Sequence, residues 1–70
     1  MGDHVSHAYI TRRDDGKYDV WIDGAKINES NGLGITVAKS HAEKVIKNKG
    51  GGQITIRDEN GNMIDSYFVN

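Results

Sequence analysis

The fold is decided by two stretches that say nearly the same thing, Ile10-Thr11-Arg12-Arg13-Asp14-Asp15-Gly16 and Ile54-Thr55-Ile56-Arg57-Asp58-Glu59-Asn60-Gly61. Each is a β-branched run, then arginine, then acidic residues, then a glycine that turns the chain. Each precedes a second strand-like run, Tyr18 to Ile22 and Met63 to Val69. The chain therefore reads as two β-hairpins with a helical segment between them.

Working outward, Ala8 to Arg12 alternates, with Ile10 on one face and Tyr9 and Thr11 on the other. Tyr18, Val20 and Ile22 point one way, Asp19 and Trp21 the other. Asp23-Gly24 signals a type I′ hairpin, which makes Ala25 to Asn28 a short third strand. A polar loop with Leu33 as its anchor leads to Thr36, a good N-cap. Ala38, Ala42, Val45 and Ile46 then form one stripe of a 3.6-residue period. Glu43 and Lys47 sit at i, i+4 in the favourable order. Gly50-Gly51-Gly52 ends the helix. Gln53 to Arg57 and Asn62 to Phe68 form the last hairpin around Asn60-Gly61, read as type I′, with Ile54, Ile56, Ile64 and Phe68 inward. A bulge near Tyr67-Phe68-Val69 would slip that register.

These elements predict an α+β fold of order β-β-(short β)-α-β-β, with one helix on one face of a small antiparallel sheet. Seventy residues make a single domain, with 1–6 as a loose lead-in. A domain this small buries about 60% of the surface of its unfolded chain, so its stability is marginal. With no cysteine, neither a disulfide nor a thiolate zinc site staples it. A protein partner is one remedy, and a homodimer is the simplest such partner.

No apolar run approaches the ~20 residues of a membrane span. Met1-Gly2-Asp3-His4 has neither the basic nor the apolar part of a signal peptide, so the expected address is the cytoplasm and no membrane contact is expected. Asn28-Glu29-Ser30 fits a glycosylation sequon that has no use there. The net charge of −1 hides an asymmetry: residues 37–49 carry four lysines against Glu43, +3, which leaves −4 elsewhere. Late-helix lysines suit the helix dipole.

Catalysis is hard to build from this chain. Ser40 and His41 are helix neighbours that point ~100° apart and cannot act as nucleophile and base. Asp14, Asp15, Asp58 and Glu59 are turn acids, which make poor general acids. Asp65 and Ser66 face opposite ways in a strand. His4-x-x-His7 offers two imidazoles where a metal needs three or four ligands, and His41 reads as a helix-flank residue. Gly32-x-Gly34-x-Thr36 precedes a helix but lacks the third glycine and the parallel strand of a phosphate fingerprint. The expectation is a non-enzyme without metal or cofactor.

The best lead is the sheet face that one helix leaves uncovered. It is expected to carry Tyr9, Trp21, Arg57, Met63 and Tyr67, an aromatic patch with arginine of the kind found at protein–protein hot spots. Aromatics on an open sheet also stack single-stranded bases. The acidic balance argues against nucleic acid, whose affinity comes from phosphate neutralisation.

Asp15-Gly16-Lys17-Tyr18-Asp19-Val20, then Thr36, Ala38 and Ala42 at helical spacing, then Gly52 to Tyr67 together resemble a family of short bacterial and phage proteins of unknown function. In that family a hairpin, one helix and a terminal hairpin follow in order. Its usual tryptophan before x-Val is Tyr18 here. The resemblance implies a fold and brings no catalytic residue. Strands 8–28 with helix 37–49 also resemble, more weakly, the arm-binding domains of phage-type integrases, which lay a three-stranded sheet on DNA. The acidic remainder and the last hairpin depart from that pattern.

Overall fold

The computed structural model describes residues 5–28 and 31–70. Five strands and one helix follow in the expected order: β1 (Ser6–Arg12), β2 (Tyr18–Ile22), β3 (Ala25–Lys26), α1 (Ile35–Asn48), β4 (Gly52–Arg57) and β5 (Met63–Val69). They build one sheet of order β3-β2-β1-β4-β5 with α1 across one face. Three of its pairings are antiparallel, but the central one, β1 with β4, is parallel. The chain reverses at each hairpin and again through α1, so β4 runs the same way as β3 and β1. A helical crossover is what a parallel pair needs.

Between α1 and the sheet lie Ala8, Ile10, Val20, Ile22, Ala38, Ala42, Ile46, Ile54 and Ile56, all buried. Tyr18, Leu33, Val45, Tyr67 and Val69 pack at their margin. The alanines of the helix stripe let α1 lie close to the sheet, and the isoleucines fill the remaining volume. Gly52 is needed for the same closeness: a Cβ there would collide with the carbonyl oxygen of Ser6.

Several local readings change. β1 begins at Ser6, which is buried and not part of a loose lead-in. Residues 1–4 of that lead-in, and Glu29 and Ser30 of the sequon, lie outside the described residues. The helix cap is Gly34, not Thr36, and no side chain bonds to it. At the other end Gly50 takes φ 97°, and the Gly51 N–H reaches back 2.9 Å to the Ile46 carbonyl, a Schellman closure. β3 is only two residues long, although Ile27 N–H extends the pairing to the Val20 carbonyl at 2.9 Å. Asp23 and Gly24 both have positive φ, as a type I′ turn requires.

The echoed stretches make the same turn. Arg13 N–H donates to Lys17 O at 2.7 Å and Gly16 N–H to Arg13 O at 3.0 Å; Asp58 N–H donates to Asn62 O at 2.9 Å and Gly61 N–H to Asp58 O at 3.0 Å. Gly16 and Gly61 both sit at φ 85°. Asn60 is not in the left-handed region, so Asn60-Gly61 is not type I′ but the end of this longer turn. Because β1 and β4 are parallel, both acidic turns lie at one end of the sheet.

The two hairpins then diverge by one residue. β1 pairs with β2 without interruption, whereas the β4–β5 register shifts between Ile56 and Arg57. Without that bulge Ile56 would face Ile64; with it, Ile56 faces Asp65, Ile54 faces Tyr67 and Gly52 faces Val69. A one-residue slip exchanges the faces of a strand. Tyr67 therefore lies on the helix side, while Ile64 and Phe68, expected in the core, are exposed.

Candidate functional site

Alternation along β1, β2 and β4 sets the uncovered face. Ile10, Val20 and Ile56 point to the helix, so their neighbours Tyr9, Thr11, Trp21, Thr55 and Arg57 point away. Register brings them into rows: Lys26, Trp21, Tyr9, Thr55 and Ser66 run across the five strands, and Asp19, Thr11, Arg57 and Met63 form the next row.

Tyr9 is the centre. The His7 ring stacks on it with centroids 4.3 Å apart and planes 11° from parallel. The Arg57 guanidinium lies 4.4 Å from the Tyr9 centroid. His7 belongs to the row before Tyr9 and Arg57 to the row after, so the phenol ring is held between imidazole and guanidinium. Tyr9, Thr11, Trp21, Gly24 and Arg57 line an open hollow of about 220 Å³. Its floor is half-buried aromatic surface, and its charged wall is Arg57. Among the described residues no carboxylate lies within ion-pair distance of Arg57.

A polar lattice fixes the β4 side. His7 Nε2 and Thr55 Oγ1 are 2.9 Å apart, Thr55 Oγ1 is 3.4 Å from Ser66 Oγ, and Gln53 Nε2 donates to Ser66 Oγ at 2.7 Å. On the β2 side Asp19 is already neutralised, 3.6 Å from Lys26 Nζ and 3.8 Å from Arg13. Asn28 braces it, donating to Asp19 Oδ1 at 3.1 Å and accepting from Val20 N–H at 2.8 Å. The described acids near the face are thus paired within the protein, and among the described residues Arg57 is the cation of this face that no carboxylate pairs.

Of the five residues expected here, Tyr9, Trp21 and Arg57 come together. Met63 pairs with Arg57 across the bulge and is exposed at the rim. Tyr67 is a correction: the bulge turns it to the helix side, where its hydroxyl donates to Glu43 Oε2 at 2.7 Å and Lys39 Nζ stands 5.6 Å from its ring. Glu43 thus serves Tyr67 rather than Lys47. Partial burial, then the bond to a carboxylate, raise the Tyr67 phenol far above its ordinary value. His7 was missed as a site residue, although its place two residues before Tyr9 gives it the same face.

Elsewhere, Asp58 is a turn-former. Its carboxylate accepts from the N–H groups of Asn60 at 2.9 Å and Asn62 at 2.8 Å. The bond from the Asn62 backbone, more than any other, holds it below the usual aspartate value. His4 lies outside the described residues. Among those described, no three His, Asp or Glu side chains gather as a metal site, and no helix is long and apolar enough to cross a membrane. Comparison with protein families, curated proteins and solved structures finds no match to this chain.

Proposed function

We propose that this chain is a non-catalytic binding module that holds a protein partner on the uncovered sheet face. The observation that carries the reading is the hollow between Tyr9 and Trp21, walled by an Arg57 guanidinium that no carboxylate of the described residues neutralises. Its chemistry suits a partner segment presenting an apolar or aromatic side chain beside a carboxylate. The aromatic floor takes the apolar group, and Arg57 takes the acid, bidentately where geometry allows. A cysteine-free chain needs no oxidising compartment, which agrees with a cytoplasmic address.

Nucleic-acid binding through the same sheet is the second reading, favoured by the aromatic face. Against it, both faces of Tyr9 are occupied, by His7 and by Arg57, so that ring has no free face for a base.

The test is selection of peptides from a random display library on the immobilised protein. The expected consensus pairs an acidic residue with an aromatic or large apolar one, and binding is lost in Arg57→Ala and in Trp21→Ala while both variants still melt cooperatively. Binders indifferent to both substitutions overturn the reading. So does tight capture of single-stranded oligonucleotides that falls steeply with salt.

A further inference from the structure

We propose that β5 is a self-pairing edge, on which a second copy of this chain lays its own β5 antiparallel, with Ser66 of the two copies opposite one another. This surface is separate from the Tyr9–Trp21–Arg57 hollow, and the inference does not depend on it.

The sheet has two edges, and they are built differently. β3 is two residues long and carries Lys26, a short charged edge of the kind that discourages pairing. β5 is seven residues long, with neither proline nor lysine, and pairs only with β4 among the described residues. It exposes Met63 at 66%, Ile64 at 55% and Phe68 at 75%. Such an edge is a template for another strand.

The backbone of this edge is directed outward at Ser66. The Asp58 N–H bond to Asn62 O sets which residues of β4 turn their ladder groups toward β5, and the bulge shifts their partners to Asp65 and Tyr67. Beyond the bulge, the residues between direct their groups the other way, so Ser66 and Phe68 present theirs outward, while Ile64 is the extra residue of the bulge itself. The Ser66 N–H accordingly finds no strand partner and bonds to its own neighbour, Asp65 Oδ1, at 2.8 Å.

The occupant follows from the order of side chains about Ser66. Met63-Ile64-Asp65-Ser66-Tyr67-Phe68-Val69, turned end for end, sets Ile64 against the partner's Phe68, and Phe68 against the partner's Ile64, on the side of the sheet that α1 leaves uncovered. Asp65 falls opposite the partner's Tyr67. Apolar meets apolar on both flanks of the two-fold axis, and the strand is its own complement. An unrelated partner places no such demand on both halves of one strand. Asp65 is the brake: its carboxylate occupies the Ser66 donor, and the two Asp65 side chains become diagonal neighbours roughly 7–8 Å apart.

The test is sedimentation equilibrium of the whole chain from about 10 µM to about 1 mM, the range in which weak dimers form. The wild type is expected to move from the chain mass toward twice that mass. Phe68→Lys should raise the dissociation constant about tenfold or more, and Ser66→Pro, which removes an outward donor, should act alike. Asp65→Ala should lower it. Trp21→Ala should leave it unchanged. Thermal melts show whether each variant is folded. If Phe68→Lys does not fold, amide exchange of the wild type decides, since protection at Ser66 and Phe68 must rise with concentration. A monomer throughout the range overturns the proposal, as does a dimer indifferent to Phe68→Lys or one lost in Trp21→Ala.

Discussion

The Tyr67 hydroxyl donates to the Glu43 carboxylate across 2.7 Å, tying the edge strand β5 to the exposed flank of α1. Without it, β5 meets the helix chiefly through Val69. Tyr67→Phe should cost about 1–3 kcal/mol, the worth of a hydrogen bond to a charged group, less whatever solvent screens. The pH dependence has a definite sign. The folded-state pKa is raised above the unfolded one, so the contribution is fully present below pH ~10 and is lost as pH rises beyond it. Alkaline melts of the wild type should fall more steeply than those of Tyr67→Phe; parallel curves would show the bond to be immaterial.

The core prediction rests on Ile46 of α1 and Ile54 of β4, both fully buried between the helix and the sheet. Truncating either to alanine should cost ~2–5 kcal/mol, since the alanines around them leave little to collapse into the hole. In a marginal domain that is a large share of the total. Urea titrations with an unshifted midpoint would place the core elsewhere.

Gly52 tests the parallel pairing. It starts β4 beside Ser6, and the collision of an added Cβ is with backbone, which cannot rotate away. Gly52→Ala should destabilise by about 1–3 kcal/mol, as overpacking does. Gly34→Ala, where a Cβ meets nothing within 4 Å, serves as the control and should be mild. Equal effects would argue against close approach of β1 and β4.

The turns make a paired prediction. Gly16 and Gly61 share φ 85° and the same pair of backbone bonds, so Gly16→Val and Gly61→Val should both destabilise. Asn60→Ala should be milder than either, because Asn60 keeps an ordinary backbone. Asp58→Ala should lower the melting temperature at neutral pH but not in strong acid. Its pKa is depressed in the fold, so its contribution is present above the unfolded aspartate range and lost as pH falls through the folded value.

Much of this architecture was legible in the chain because it is written in short-range signals. Period two, glycine turns and the alanine stripe each fix an element within a few residues of themselves. The parallel centre of the sheet was also implicit, since a third short strand before α1 returns β4 in the direction of β1. What the sequence misplaced was the bulge, expected near Tyr67-Phe68-Val69 and found opposite Ile56, at the start of β5. Met63-Ile64-Asp65-Ser66-Tyr67-Phe68 alternates equally well in either register, with Ile64 and Phe68 on one face and Tyr67 on the other. Only the pairing with β4 chooses between them, and Tyr67 wins the inner face by reaching Glu43. The face of the candidate site survived in β1, β2 and β4, where no bulge intervenes, and failed in β5, where one does.

The last prediction isolates the centre of that face. Arg57 and Tyr9 come from different strands and meet only through the β1–β4 pairing. If the guanidinium is held by the ring, a double-mutant cycle of Tyr9→Leu and Arg57→Ala should return a coupling of about 0.5–1 kcal/mol in thermal stability. Arg57→Lys keeps the charge but not the plane that stacks, so it should recover only part of that coupling. In binding the order should differ. Lysine restores the attraction for a partner carboxylate but not the two-point contact, so Arg57→Lys should bind acidic peptides better than Arg57→Ala and worse than wild type. Full recovery by lysine in both assays would mean that Arg57 acts as a point charge and that its position over Tyr9 is incidental.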